Sequence, residues 1–272
     1  MIQEWLWARS AKAAPLARRL GYVREQLRQK ACWLRNVQTW LPHLEKSRTF
    51  IRNTIQQCHG NDLAVVAGSG ACLDIPLEEL SATFKRVLLV DLVHPREVVL
   101  LAEKLGNVRL CLNDLTGTLP AVAGALNGGD RLSLESMGRV DLEALSKELP
   151  ELKHADFVIS ANTLAQLPLI PMEHLWTTGL YTDCELEAFA SNMIDGHIAW
   201  LRSFTCPSVL ITDLFWISLS QGIAQTSSPL YAANLGIPQE RWEWHIAPKP
   251  EAHPDRDILH IVGAFCFPPQ AR

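Results

Sequence analysis

The chain has 272 residues, 48% hydrophobic and 20% charged, a balance that excludes intrinsic disorder and suits one large α/β domain plus an accessory segment. No stretch reaches the roughly 18 uncharged apolar residues of a spanning helix, and the first residues hold no signal-type apolar core ahead of their charges. The seven cysteines are odd in number, scattered and without a CxxC, so we expect a reducing, cytoplasmic setting with neither disulfide framework nor zinc ribbon. The net charge of −4 is unevenly spread: residues 1–60 carry eleven Lys/Arg against three Asp/Glu, a balance of +8, and the remainder carries −12. Opposite charges favour docking of the basic segment across the acidic remainder of the same chain. The segment lacks the dense Lys/Arg patch of a nucleic-acid arm, so nucleic acid is not an expected partner.

Residues 1–58 read as a helical cap, and residues 59–272 as one α/β domain. In the cap, Leu16, Leu20, Val23 and Leu27 follow the spacing of one helix face, and Leu34, Val37, Leu41 and Leu44 repeat it. Pro42 predicts a kink or break near Leu41. Trp5, Trp7, Trp33 and Trp40 supply apolar area for docking. At Asn61 the pattern changes: Leu63–Ala67 is a buried strand ending in the turn Gly68-Ser69-Gly70. Asp74 is placed to cap a helix with Pro76 in its first turn, continuing through Leu80 and Phe84. Arg86–Asp91 is a second strand, 97–105 a helix, and Val108–Leu112 a third strand ending in Asn113-Asp114. A Gly-rich loop at 127–130 and a helix at 141–149 follow, then strand four, Asp156–Ser160. A long helix between Glu185 and Phe204 precedes strand five, Ser208–Asp213. Strands at 241–246 and 258–267 close the chain, and the short link between them predicts a hairpin. Strands alternating with helices imply a mostly parallel sheet covered on both faces, with an antiparallel last strand.

The chemistry gathers at the carboxyl ends of successive strands, where open α/β sheets bind ligands. The glycines of Gly68-Ser69-Gly70 let backbone N–H groups approach a ligand closely. Asp91 follows Gly70 by twenty-one residues and is placed to accept from a ribose diol. Asp114 ends the third strand on the same edge. Taken in order, Val65-Val-Ala-Gly68-Ser-Gly70, Leu88-Leu-Val-Asp91, Asn113-Asp114, Asp156-Phe-Val-Ile-Ser-Ala-Asn162 and the closing hairpin resemble the class I S-adenosylmethionine (SAM)-dependent methyltransferases, over about residues 60–267. The resemblance implies a seven-stranded Rossmann-like sheet and SAM as cofactor. It implies that Gly68, Ser69 and Gly70 line the methionine part, Asp91 takes the ribose hydroxyls and Asp114 meets the adenine. It implies further that Ser160, Ala161 and Asn162 face the sulfonium and the acceptor. Two departures stand in the first motif: Val66 where many members carry an acid, and Cys72 at the usual third-glycine position. The fourth motif, Ala161-Asn-Thr-Leu164, is not the Asn-Pro-Pro-Tyr of enzymes that methylate exocyclic or glutamine amides, so a small-molecule acceptor is expected.

Methyl transfer is an in-line displacement, and a base is needed only where the acceptor must lose a proton. His94, His197 and Asn162 are the catalytic candidates, with Asp213 and the cap residue His43 near the same edge. His197 shares a helix face with Met193 and Leu201, a spacing that equally suits a packed core histidine. Trp176 and Tyr181 could stack on a planar acceptor or serve as lid or core aromatics. The nine histidines show no HxxxH or HExxH, so no metal is expected. A nicotinamide dehydrogenase would need a third glycine where Leu73 stands. The alternative is a methyltransferase-like scaffold without activity. Acceptor atom and oligomeric state are not written in the sequence.

Overall fold

The β2 strand (Leu63–Ala67) and β6 strand (Phe157–Ala161) are buried along their whole length and lie side by side at the centre of the sheet. Uninterrupted apolar runs suit this place, because a central parallel strand meets helices on both faces. The structure, a computed structural model, describes residues 7, 9–128, 131, 133–134 and 147–270. The β3 strand (Arg86–Asp91) flanks β2 and is followed outward by β5 (Val108–Leu112). On the other side β7 (Ser208–Ser220) pairs with β6, then β10 (Asp257–Phe267) and β9 (Glu240–Ala247), giving the order β5-β3-β2-β6-β7-β10-β9. Pairing is parallel from β5 to β7, and β10 runs antiparallel to both of its neighbours. This is the Rossmann-like sheet with an antiparallel last strand that the sequence led us to expect.

Helices cover both faces. The α3 helix (Val37–Ile55) lays Trp40, Leu44, Phe50 and Ile51 against Val66, Ile159, Ile211, Trp242 and Trp244. On the other face α8 (Asp183–Arg202) packs Ile194, Ile198 and Leu201 against Val65, Val158 and Leu210. Each such side chain contributes about 1.5–3 kcal/mol on leaving water. A third cluster joins α1 (Pro15–Arg19) to α6 (Leu119–Leu126), α7 (Leu169–Thr177) and α8 through Ala17, Leu20, Val122, Leu175, Phe189 and Met193. The remaining helices are α2 (Tyr22–Arg35), α4 (Leu77–Thr83) and α5 (Arg96–Leu105).

Several local expectations are corrected. The Leu16–Leu27 stripe is not one helix, because Gly21 takes φ +90° and separates α1 from α2. The second stripe breaks at Asn36 rather than near Leu41, and Leu34 and Leu41 are exposed. The buried face of α3 instead runs through Trp40, His43, Leu44, Ser47, Phe50, Ile51 and Thr54. Pro42 lies inside α3 on its solvent face, where water can meet the carbonyl left without its helical partner. Asp74 does not cap α4, whose N-terminal flank is Pro76. The α8 helix begins two residues before Glu185, at a Thr182/Glu185 capping box. The β7 strand runs seven residues past Asp213 and folds back as β8 (Ile223–Ser227). Most of the helix expected at 141–149 and half of the 127–130 loop lie outside the described residues. A pair of two-residue strands, β1 (Lys12–Ala13) and β4 (Val93–His94), had no signal in the sequence pattern.

Candidate functional site

After β2 the chain turns sharply: Gly68, Gly70 and Cys72 have φ of +70°, +49° and +53°. The Gly68 N–H is held by the Val90 carbonyl of β3 at 2.8 Å. A Cβ at Gly68 would lie 2.1 Å from Thr163 Oγ1, so only glycine fits there, and the Thr163 hydroxyl donates to the Gly68 carbonyl at 3.0 Å. Asp91, at the end of β3, braces the turn from the other side. Its Oδ2 accepts from Gly70 N–H at 2.7 Å and its Oδ1 from Val93 N–H at 3.0 Å. Burial raises the Asp91 carboxyl above its ordinary value, and these backbone donors oppose the rise. Asp114 is held more locally: Thr116 N–H and hydroxyl reach Oδ1, and Leu119 N–H at the start of α6 reaches Oδ2 at 2.9 Å. It thereby satisfies an orphan donor of a helix N-terminus.

Residues 9–35 cross this edge as a strap. Lys12 and Ala13 pair with His94 and Val93, and Leu20 offers its carbonyl to His174 Nε2 at 2.8 Å. Tyr22 lies close enough to Asp91 and Asp114 for both carboxylates to act on it. Burial first, then Asp114 and Asp91, push its phenol well above the usual range. The Gln26 amide comes within 3.5 Å of where a Gly70 Cβ would stand, and Gln29 donates to Gln166 at 2.9 Å.

Beside the Gly68 turn stands a polar node. Asn162, directly after β6, has φ +51° and donates its backbone N–H to Ile211 O. Its Nδ2 lies 2.6 Å from Asp74 Oδ2 and 3.0 Å from His43 Nε2, and its Oδ1 is enclosed without a partner among the described residues. Trp242 Nε1 donates to His43 Nδ1 at 3.0 Å, and the His43 ring lies flat on Trp244, centroids 3.9 Å apart. Burial lowers His43 to about 3, so the ring is neutral. Arg48 donates to the Leu73 carbonyl next to Asp74. Burial raises the Asp74 carboxyl, against the pull of Asn162 and Arg48.

The structure places the other candidates as follows. His197 and Ser160 are buried and paired, Nε2 to Oγ at 2.9 Å, and burial lowers His197 to about 4. Both face the α8 side of the sheet, away from the Asp74–Asn162 node, and Ala161 is buried on the α3 side. The geometry gives His197 to the core. His94 is buried under the strap, its Nε2 3.0 Å from Cys111 O, and burial lowers its pKa. Asp213 takes Trp216 Nε1–H at 2.9 Å and lies 2.9 Å from His260 Nδ1, on the α3 side. Trp176 stands exposed on α7 whereas Tyr181 is buried. A cavity of about 550 Å³, lined by residues that include Phe50, Thr54, Pro207, Gln239 and Cys266, opens at the opposite edge of the sheet and takes in none of these groups. Among the described residues no cluster of three or more His, Cys, Asp or Glu could hold a metal, and no helix is long and apolar enough to cross a membrane.

Sequence reasoning missed Tyr22, Thr163 and the role of Asp74. Only Thr163 carried a signal, its place immediately after the fourth motif.

No family model matches the chain, and no curated protein matches it. Among solved structures it is similar to the N-methyltransferase NodS from Bradyrhizobium japonicum WM9 in complex with S-adenosylhomocysteine (SAH), at 12% identity over 80% of this chain and 85% of that one, with a TM-score of 0.33. A 1,6-didemethyltoxoflavin-N1-methyltransferase from Burkholderia thailandensis, with bound 1,6-didemethyltoxoflavin and SAH, matches at 15% identity over 93% and 91%, with a TM-score of 0.36. A DhpI–SAH complex matches at 13% identity over 93% and 96%, with a TM-score of 0.33. Similarity this distant leaves the function to be argued from the site itself.

Proposed function

We propose that this chain is a SAM-dependent methyltransferase acting on a small-molecule acceptor in the cytoplasm. The observation that carries the reading is the turn at Gly68–Gly70, side-chain-free at its closest approach and braced by Asp91 at the end of the neighbouring strand. Its residues fit the cofactor. Each Asp91 oxygen accepts one backbone N–H and keeps a lone pair, so the carboxylate can still receive two ribose hydroxyls. Asn162 Oδ1 and Ser69 Oγ are enclosed beside the turn without partners among the described residues, ready for a ligand's polar groups.

SAM supplies an electrophilic methyl group on a sulfonium. The chain's own work is then to bind, orient and exclude water. Gly68 and Gly70 admit the ligand close to backbone, Asp91 fixes its ribose, and the strap with Tyr22 covers the cleft. Asn162 and Asp74 stand on the side of the turn nearest His43, and no proton-accepting role is assigned to His197.

Titration calorimetry with SAM and SAH is the test. Binding at micromolar to submillimolar concentration supports the proposal. No binding of either ligand at millimolar concentration ends it, in favour of a partner-binding scaffold.

A further inference from the structure

The proton inventory of the node at Asp74, Asn162 and His43 does not balance if Asp74 is ionised. Trp242 Nε1 can only donate, so His43 Nδ1 is an acceptor, and the single proton of the neutral ring is on Nε2. That N–H points at the Asn162 amide 3.0 Å away. With the amide nitrogen in this position, two N–H groups confront each other. With the amide turned over, its oxygen accepts from His43 and then stands 2.6 Å from Asp74 Oδ2, a separation that two oxygens hold only with a proton between them. The distance itself is typical of O–H···O and short for N–H···O.

We propose that Asp74 is a protonated carboxylic acid in the ligand-free protein, and that entry of a cationic ligand at the Gly68–Gly70 turn drives its proton off and turns the Asn162 amide over. In the ligand-free state the Asp74 hydroxyl and the His43 Nε2–H both donate to the amide oxygen. In the bound state the amide nitrogen donates to the Asp74 carboxylate. Its oxygen then occupies the enclosed position that has no protein partner, where it can accept from the ligand. The O–H bond of Asp74 breaks and the proton leaves to solvent; no other bond changes. The groups facing Asp74 are Arg48 and His43 from α3, Asn162 after β6, and Cys72 on its own turn, with Asp91 acting on Cys72 from β3. Arg48 favours ionisation and is opposed by burial, so the carboxyl is poised for an incoming positive charge to decide. Val66 stands where the resembled family often carries an acid, and Asp74 brings a carboxylate to the same turn from the opposite side.

The choice of SAM as that ligand rests on the proposed function; protonation of Asp74 does not. Infrared spectra of the ligand-free protein at pH 7 should show the carbonyl band of a buried carboxylic acid that is missing in Asp74→Asn. Calorimetry in two buffers of different ionisation enthalpy should show release of about one proton per SAM bound. Asp74→Asn should release none and bind at least about tenfold more weakly. Release with SAH as well would assign the charge to the ammonium, and release with SAM alone to the sulfonium. An absent carbonyl band, or SAM binding without proton release, overturns the inference. Failure of both ligands to bind, with the band present, sinks the cofactor and leaves the protonated Asp74 standing.

Discussion

The carboxylate of Asp91 receives the backbone N–H of Gly70 at 2.7 Å, so a residue expected to face a ligand also holds the ligand's turn in shape. Asp91→Ala removes the acceptor of two backbone donors, Gly70 and Val93, and should lower the unfolding free energy by about 2 kcal/mol. SAM affinity should fall at least about tenfold. Chemical denaturation and calorimetry on the same variant check both. A folded variant with unchanged SAM affinity removes Asp91 from the site.

Gly68 and Gly124 make a matched pair. Alanine at Gly68 must adopt φ +70° and meet Thr163 at 2.1 Å, so Gly68→Ala should cost about 2–4 kcal/mol and abolish SAM binding. Gly124 lies within α6 with open space around its missing Cβ, and Gly124→Ala should stabilise the protein by about 0.5–1 kcal/mol. Thermal denaturation of the two variants gives the comparison, and equal effects would contradict the tight packing at Gly68.

Much of this architecture was legible in the sequence, because buried parallel strands advertise themselves as apolar runs: Leu63–Ala67, Arg86–Asp91, Val108–Leu112 and Phe157–Ala161 are all found within a residue or so of expectation. The strap was less legible. Its helix break depends on one left-handed glycine, and its strand pairing on two residues that meet His94 from eighty positions away. Asp74 has the local context of a helix cap, and only the tertiary approach of Asn162 turns it into part of a polar node. His197 shows the opposite case, since its spacing with Met193 and Leu201 already suited a core position.

The buried histidine His197 also sets an acid limit on stability. Burial holds its folded value at about 4, below the ordinary 6.5, so the unfolded chain takes up the proton first as pH falls. Its contribution is complete above about pH 6.5 and is lost between there and about pH 4. At pH 5 the loss should be about 2 kcal/mol relative to pH 7.5. The double variant Ser160→Ala, His197→Leu removes both partners and should show a correspondingly shallower acid dependence in urea unfolding. An identical pH profile would place the titration elsewhere.

The strap and α3 should respond differently to truncation. Removing residues 1–35 takes away Tyr22 and the cover over Asp91 and Asp114, and should weaken SAM binding at least about tenfold while leaving the sheet folded. Removing residues 1–58 also strips Trp40, Leu44, Phe50 and Ile51 from the sheet, and should yield insoluble protein. Solubility after expression and calorimetry distinguish the two. A soluble, SAM-competent product from the longer deletion, having lost only salt-sensitive nucleic-acid binding, would instead make the segment an electrostatic arm.

Trp40 donates its indole N–H to the carbonyl of Ile246, two hundred and six positions further along the chain. During synthesis α3 therefore emerges early and waits for β9, which emerges among the last segments. At ordinary elongation rates the delay is roughly ten to forty seconds. Throughout that interval the Trp40–Leu44–Phe50–Ile51 face has no sheet to cover it, and the nascent protein carries an adhesive stripe near its leading end. Release from the ribosome, rather than any local helix formation, sets the moment at which this domain can close.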